Sequence, residues 1–150
     1  MNVAAILDAK GSDIVTIRPD STLHAAARLL AERRIGSAVV TDGTDGPLLG
    51  IVSERDIVRA IARLGGAALD QRVSEFMSAP VETTERVELI RSIMERMTNG
   101  RFRHVPVVEE GRLVGIVSIG DVVKHRLAEI QAEASAMQEY IVSGGGPTVG

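Results

Sequence analysis

Apolar residues recur at helical spacing in two stretches of the chain, first as Leu23, Ala26, Ala27 and Leu30 and again as Ile90, Ile93, Met94 and Met97. The methionines on the second stripe read as core filler. A short extended piece precedes each stripe, at residues 14–17 and 81–83. After each stripe comes a β-rich run, Ala38-Val39-Val40 or Val105-Pro106-Val107-Val108, then a Gly-containing turn and a second apolar run at 48–52 or 113–117. Paired runs around such a turn predict a hairpin. Ser53 and Ser118 stand where each hairpin ends, three residues before an Asp and just ahead of an apolar pair, the signature of a helix start. The pattern therefore predicts an α+β fold with the order strand, helix, strand, strand, helix written twice.

Direct alignment makes the duplication explicit. Residues 50–61 superpose on 115–126 at an offset of 65, with Gly, Ile, Val, Ser, Asp and one further Val identical. Residues 30–40 align with 97–107 at an offset of 67, so the first copy carries two extra residues in its Asp42-Gly43-Thr44-Asp45-Gly46 turn. We expect one repeat over 3–66, a connection from Gly65-Gly66 to Asp70, a second repeat over 74–128, a C-terminal helix continuing from it over 121–143, and a disordered tail at 144–150. On that last helix Val123, Leu127, Ile130, Ala134, Met137 and Ile141 are spaced 4, 3, 4, 3, 4. Such a seam fits a helix packing lengthwise on another, either in self-association or by folding back on its own domain.

Composition narrows the function classes. Seventeen Lys and Arg against twenty Asp and Glu give a net charge of −3, which supplies no general attraction to nucleic acid or anionic lipid. Phe76, Phe102 and Tyr140 are the whole aromatic complement, too few for a base-stacking platform. With no cysteine there is no disulfide framework, thiolate metal site or cysteine nucleophile, and a reducing, cytoplasmic setting is expected. The start lacks a basic region followed by a long apolar stretch, and no run approaches the ~18 apolar residues of a membrane span. His24, His104 and His125 are not at metal-ligand spacing, and neither a P-loop nor a Gly-x-Gly-x-x-Gly fingerprint is present.

The candidate chemistry lies in the repeated Gly-Ile-Val-Ser-x-x-Asp. Ser53 and Ser118 begin helices, where free N–H groups favour an anion and the hydroxyls can donate to phosphate. Asp56 and Asp121, one turn on, are acceptors suited to a pair of ribose hydroxyls. Ser-x-x-Asp is also a capping box that satisfies only the helix itself, and the tetrapeptide alone leaves both readings open. The second copy carries Arg101, Arg103 and His104 where the first has Arg34, Gly36 and Ser37, so the stronger phosphate clamp is expected there. Those cations also fit a solvated strand edge that discourages edge pairing. Arg55 is a candidate donor to phosphate from either site, and Lys10, before Gly11, is either a further donor or part of a surface turn.

With their hairpins and preceding helices, residues 50–61 and 115–126 resemble the tandem CBS-domain pair, the regulatory module named after cystathionine β-synthase, over roughly residues 3–128. The resemblance implies two repeats packed about a pseudo-twofold axis, with two clefts for adenine nucleotides such as AMP, ATP, NAD(H) or S-adenosylmethionine. It assigns ribose to Asp56 and Asp121, and phosphate to Ser53 and Ser118. Adenine falls to Thr16, Ile17, Ile35, Thr83, Val105 and Pro106. It further implies a homodimer and a sensor that acts on an unidentified regulated protein. A scaffold with empty clefts is the competing reading. An enzyme using Asp121 and His104 as acid and base lacks an activated nucleophile or metal set.

Overall fold

Two antiparallel hairpins organise the computed structural model, which describes residues 1–11, 13–43 and 46–142. Strand β2 (Ser37–Thr41) pairs with β3 (Leu48–Ser53), and β4 (His104–Glu109) pairs with β5 (Arg112–Ser118). Their registers correspond, Val40 opposite Gly50 and Val107 opposite Gly115, and each slips immediately after that pair. Thr44 and Asp45 of the first turn, and the tail at 144–150, lie outside the described residues.

The amphipathic stripes form α2 (Leu23–Arg33) and α5 (Ile90–Gly100). The Thr22 hydroxyl caps α2 by accepting from the Ala25 N–H at 3.1 Å. Leu23, Ala26 and Leu30 are buried from one helix, Ile90, Ile93 and Met97 from the other. Both end on an arginine in the left-handed region, Arg34 with φ 54° and Arg101 with φ 57°. That conformation turns the chain sharply into the following strand. Helices α3 (Glu54–Leu64) and α6 (Ile119–Val142) leave directly from β3 and β5.

The first copy has the expected order, with β1 (Thr16–Ile17) running parallel to β2. The second departs from it: no strand forms at 81–83, and Thr84 alone bridges Val107. Thr84 spends both backbone groups on β4, its N–H on Pro106 and its carbonyl on the Val108 N–H, while the Thr83 carbonyl is taken by the Arg96 guanidinium at 2.8 Å. The connection expected at Gly65 to Asp70 is a 3-10 helix, Gly65–Asp70.

Two further helices, α1 (Val3–Lys10) and the short α4 (Val73–Phe76), precede the copies, and they are exchanged. Val3, Ile6 and Leu7 sit in one core with Ile90, Ile93, Met97, Val105, Val107, Val117 and Val122, all from the second copy. Val73 sits with Leu23, Leu30, Val40, Val52 and Ile57 of the first, with Phe76 and Met77 against them. The backbone repeats the exchange: Val3 donates to the Glu88 carbonyl at 2.9 Å, and Val73 to the Ser21 carbonyl at 2.8 Å. Residues 3–10, at the start of the repeat expected over 3–66, thus complete the core of the other copy.

Two equivalent glycines admit the exchanged segments. A Cβ on Gly115 would lie 2.6 Å from a Leu7 methyl, and one on Gly50 would lie 2.8 Å from both the Met77 sulfur and the Ser78 carbonyl oxygen. Backbone cannot turn aside as a methyl can, so Gly50→Ala is expected to destabilise by about 1–3 kcal/mol and Gly115→Ala by less. Urea denaturation of the two variants measures the difference.

Helix α6 is a single helix of 24 residues from Ile119, directly after Ser118. Val122 enters the core, whereas Val123, Leu127, Ile130, Met137 and Ile141 are exposed, and every described residue from 131 to 142 faces solvent. The seam does not fold back on its own domain. No helix among the described residues is long and apolar enough to cross a membrane.

Candidate functional site

Each Ser-x-x-Asp forms a reciprocal cap. At the start of α3 the Asp56 carboxylate accepts from the Ser53 N–H at 2.9 Å and from its hydroxyl at 3.0 Å, while the Asp56 N–H donates to Ser53 Oγ at 3.3 Å. At the start of α6 Asp121 accepts from the Ser118 N–H at 2.9 Å, and its own N–H donates to Ser118 Oγ at 3.2 Å. The capping reading is thus realised in both copies.

Their surroundings differ. Asp56 is only 7% exposed, and its second oxygen accepts from the Ser78 hydroxyl at 3.3 Å. Asp121 is met instead by Lys10, whose ammonium donates to its carboxylate at 2.7 Å and to the Ile116 carbonyl at 3.1 Å. Lys10 is therefore no loose surface turn: it ends α1, and the exchange carries it to the second copy. Burial alone would raise the Asp121 pKa. The Lys10 and Ser118 hydrogen bonds outweigh that and hold the carboxyl below its usual range.

Between the copies lies a cavity of about 730 Å³, within the range of small-molecule sites. Ser53, Arg55 and Asp56 line it from the first copy, and Arg101, Arg103 and His104 from the second. The cations of the second copy thus line the same cavity as the first copy's Ser53–Asp56 pair. The left-handed turn at Arg101 and the Ile119 N–H bond to the Arg103 carbonyl, 2.8 Å, hold this loop so that it lines the same cavity as the start of α3. Neither Ser118, Asp121 nor Lys10 lines the cavity.

His104 stands between the two capping boxes. It lines the cavity, and its imidazole lies 3.6 Å from where a Gly36 Cβ would be. Burial, followed by the charges of Arg103 and Lys10, lowers its pKa; Asp121 and Glu54 oppose this without prevailing. It therefore favours the neutral imidazole in this state.

The adenine assignments fare differently. None of Thr16, Ile17, Ile35, Thr83, Val105 and Pro106 lines the cavity. Val105 and Pro106 are buried in β4, Val105 at 0% exposure, because this strand turns them into packed protein. Ile17 and Ile35 pack on the first copy's core. The apolar wall is formed by Ile51, Pro80, Val81, Phe102 and Ile119, with Arg59 on the polar side. Arg59 was available from the sequence, one helical turn after Arg55; Phe102, one of two phenylalanines, was available as an unused aromatic between Arg101 and Arg103.

A family model described as the CBS domain matches residues 8–63 and 73–128. The chain is 32% identical over 129 residues to the mitochondrial CBS-domain-containing protein CBSX3 of Arabidopsis thaliana, covering 83% of this chain but 62% of that protein. A CBS-domain-containing protein from Agrobacterium tumefaciens is 51% identical, with TM-score 0.80 and coverage of 83% of this chain and 92% of its own. A CBS-domain protein of Pyrobaculum aerophilum complexed with AMP is 31% identical, with TM-score 0.71 over 81% of this chain and 89% of its own. A CBS-domain pair in complex with 5′-methylthioadenosine and S-adenosylmethionine is 25% identical, with TM-score 0.75 over 86% and 98%.

Proposed function

Since the chain belongs to the CBS-domain family through both of its repeats, we propose that it is a non-catalytic sensor whose inter-copy cavity takes an adenine nucleotide of the AMP, ATP or NAD(H) kind. The observation that carries this reading is the wall shared by the two copies, with Ser53, Arg55 and Asp56 facing Arg101, Arg103 and His104. Ribose hydroxyls would displace the long Ser78 contact on Asp56. The guanidiniums and His104 would meet phosphate, and Ile51, Val81 and Phe102 would flank the base. The AMP and S-adenosylmethionine complexes of related chains support an adenosine moiety in this family's clefts.

A second cleft related by the duplication would use Ser118 and Asp121, with Lys10 at phosphate. Ile35, the counterpart of Phe102 at the repeat offset, would stand at its base side, with Thr16, Ile17 and Thr83 outside the first contacts. Ligand that fits one arrangement of the copies better than another shifts their packing, which a regulated protein can read. The exposed seam on α6 supports a homodimer as the working unit. The cytoplasm remains the proposed compartment.

Isothermal titration and thermal shift with AMP, ATP, NAD, NADH and S-adenosylmethionine test the reading. Binding of an adenine nucleotide with a matching rise in melting temperature is expected. No heat and no shift from any of them, in protein freed of carried-over nucleotide, would favour the scaffold assembled through α6.

A further inference from the structure

Resting on that reading, we propose that the cavity beside Asp56 selects a nucleotide carrying at least two phosphate groups over nucleoside monophosphates and sulfonium nucleosides. Arg55 and Arg59 project from α3 at i and i+4, and Arg101 and Arg103 flank Phe102; all four line this one cavity. Among the described residues none of the four makes a side-chain hydrogen bond or ion pair. Elsewhere in the chain Arg96 and Arg86 reach carboxylates within 3 Å. Four unpartnered guanidiniums around one space repel one another, and an anion between them relieves that repulsion.

The carboxylates nearby do not balance them. Glu82 lines the cavity but is engaged by Arg96 at 3.1 Å. Glu54 and Asp56 remain, and Asp56 already accepts from its own cap and from Ser78. The starts of α3 and α6, at Glu54 and Ile119, also line the wall, each adding the partial positive charge of a helix N-terminus. One phosphate has three terminal oxygens, and one or two forked guanidiniums saturate them. Engaging the α3 pair and the Arg101–Arg103 pair together takes a second phosphate. A ligand of that class ties α3 of the first copy to the loop before β4 of the second.

The test is titration calorimetry with ATP, ADP, AMP and inorganic tripolyphosphate, on the parent protein and on the Arg55→Ala/Arg59→Ala double variant. Both arginines are exposed, and circular dichroism checks that the variant stays folded. ADP and ATP are expected to bind at least about tenfold more tightly than AMP, with the margin shrinking as salt screens it. In the double variant ATP is expected to lose more affinity than AMP, so that the margin between the two closes. Equal affinity for AMP and ATP in the parent overturns this inference and leaves the nucleotide sensor standing. Binding of tripolyphosphate with no adenine preference overturns the sensor and keeps the polyanion site. A preference for ATP that survives the double variant removes the role assigned to Arg55 and Arg59.

Discussion

Asp56→Ala is expected to abolish nucleotide binding in the cavity that Asp56 lines and to lower stability by about 1–2 kcal/mol, a melting-point fall of roughly 2–8 °C. The two effects share an origin. The carboxylate holds the Ser53 N–H, the Ser53 hydroxyl and the Ser78 hydroxyl at once, and it is nearly buried. Its removal leaves those donors with no acceptor at the wall where ribose is proposed to sit. Asp56→Asn separates the effects: it keeps an acceptor and the volume, so it is expected to recover most of the stability while still binding nucleotide weakly. Calorimetry and thermal melts on both variants read the two quantities independently. Full nucleotide affinity in Asp56→Ala would reduce the residue to a helix cap.

Asp121→Ala is the informative contrast, because that carboxylate is partly exposed and its partner Lys10 can return to water. Its pKa is depressed in the folded chain, so its contribution is present above the unfolded carboxyl pKa and is lost as pH falls through the lower, folded value. The stability difference between Asp121→Ala and the parent is therefore expected to shrink in acid.

Much of this was legible in the chain itself. Register is fixed by alternation, and a stripe at 3.6 spacing has one face to bury, so the two hairpins and α2, α3, α5 and α6 follow from repeated local patterns. The exchanged helices were not. Val3, Ile6 and Leu7 match Val73, Phe76 and Met77 at an offset of 70 rather than 67. Three apolar positions per helix are also too few to stand out. A repeat in sequence, moreover, states that two units are alike, not which core each helix enters. The site was legible to the same degree: polar residues that announce a cap or a phosphate were found, while Pro80, Val81 and Phe102 became neighbours of Ser53 only through packing between copies. Val105 and Pro106 lie outside this cavity for the converse reason, since a strand's position in a repeat does not tell which of its residues the core consumes.

The exchange carries the largest expected loss of stability. Ile6 is fully buried among second-copy residues, so Ile6→Ala opens a cavity with little to fill it and is expected to cost about 2–5 kcal/mol. Hydrogen exchange locates the damage. Amides of α5, β4 and β5 are expected to lose protection before those of α2, β2 and β3, although Ile6 precedes the first copy in the chain. Loss confined to the first copy would return α1 to its own repeat and undo the exchange. The consequence reaches the second cleft, because α1 ends in Lys10 and sets the 2.7 Å contact with Asp121. In Ile6→Ala that ion pair loses the helix that positions it, so the acid dependence traced to Asp121 is expected to weaken together with the core. Two signals falling in step would tie the packing of the exchanged helix to the electrostatics of the site it borders.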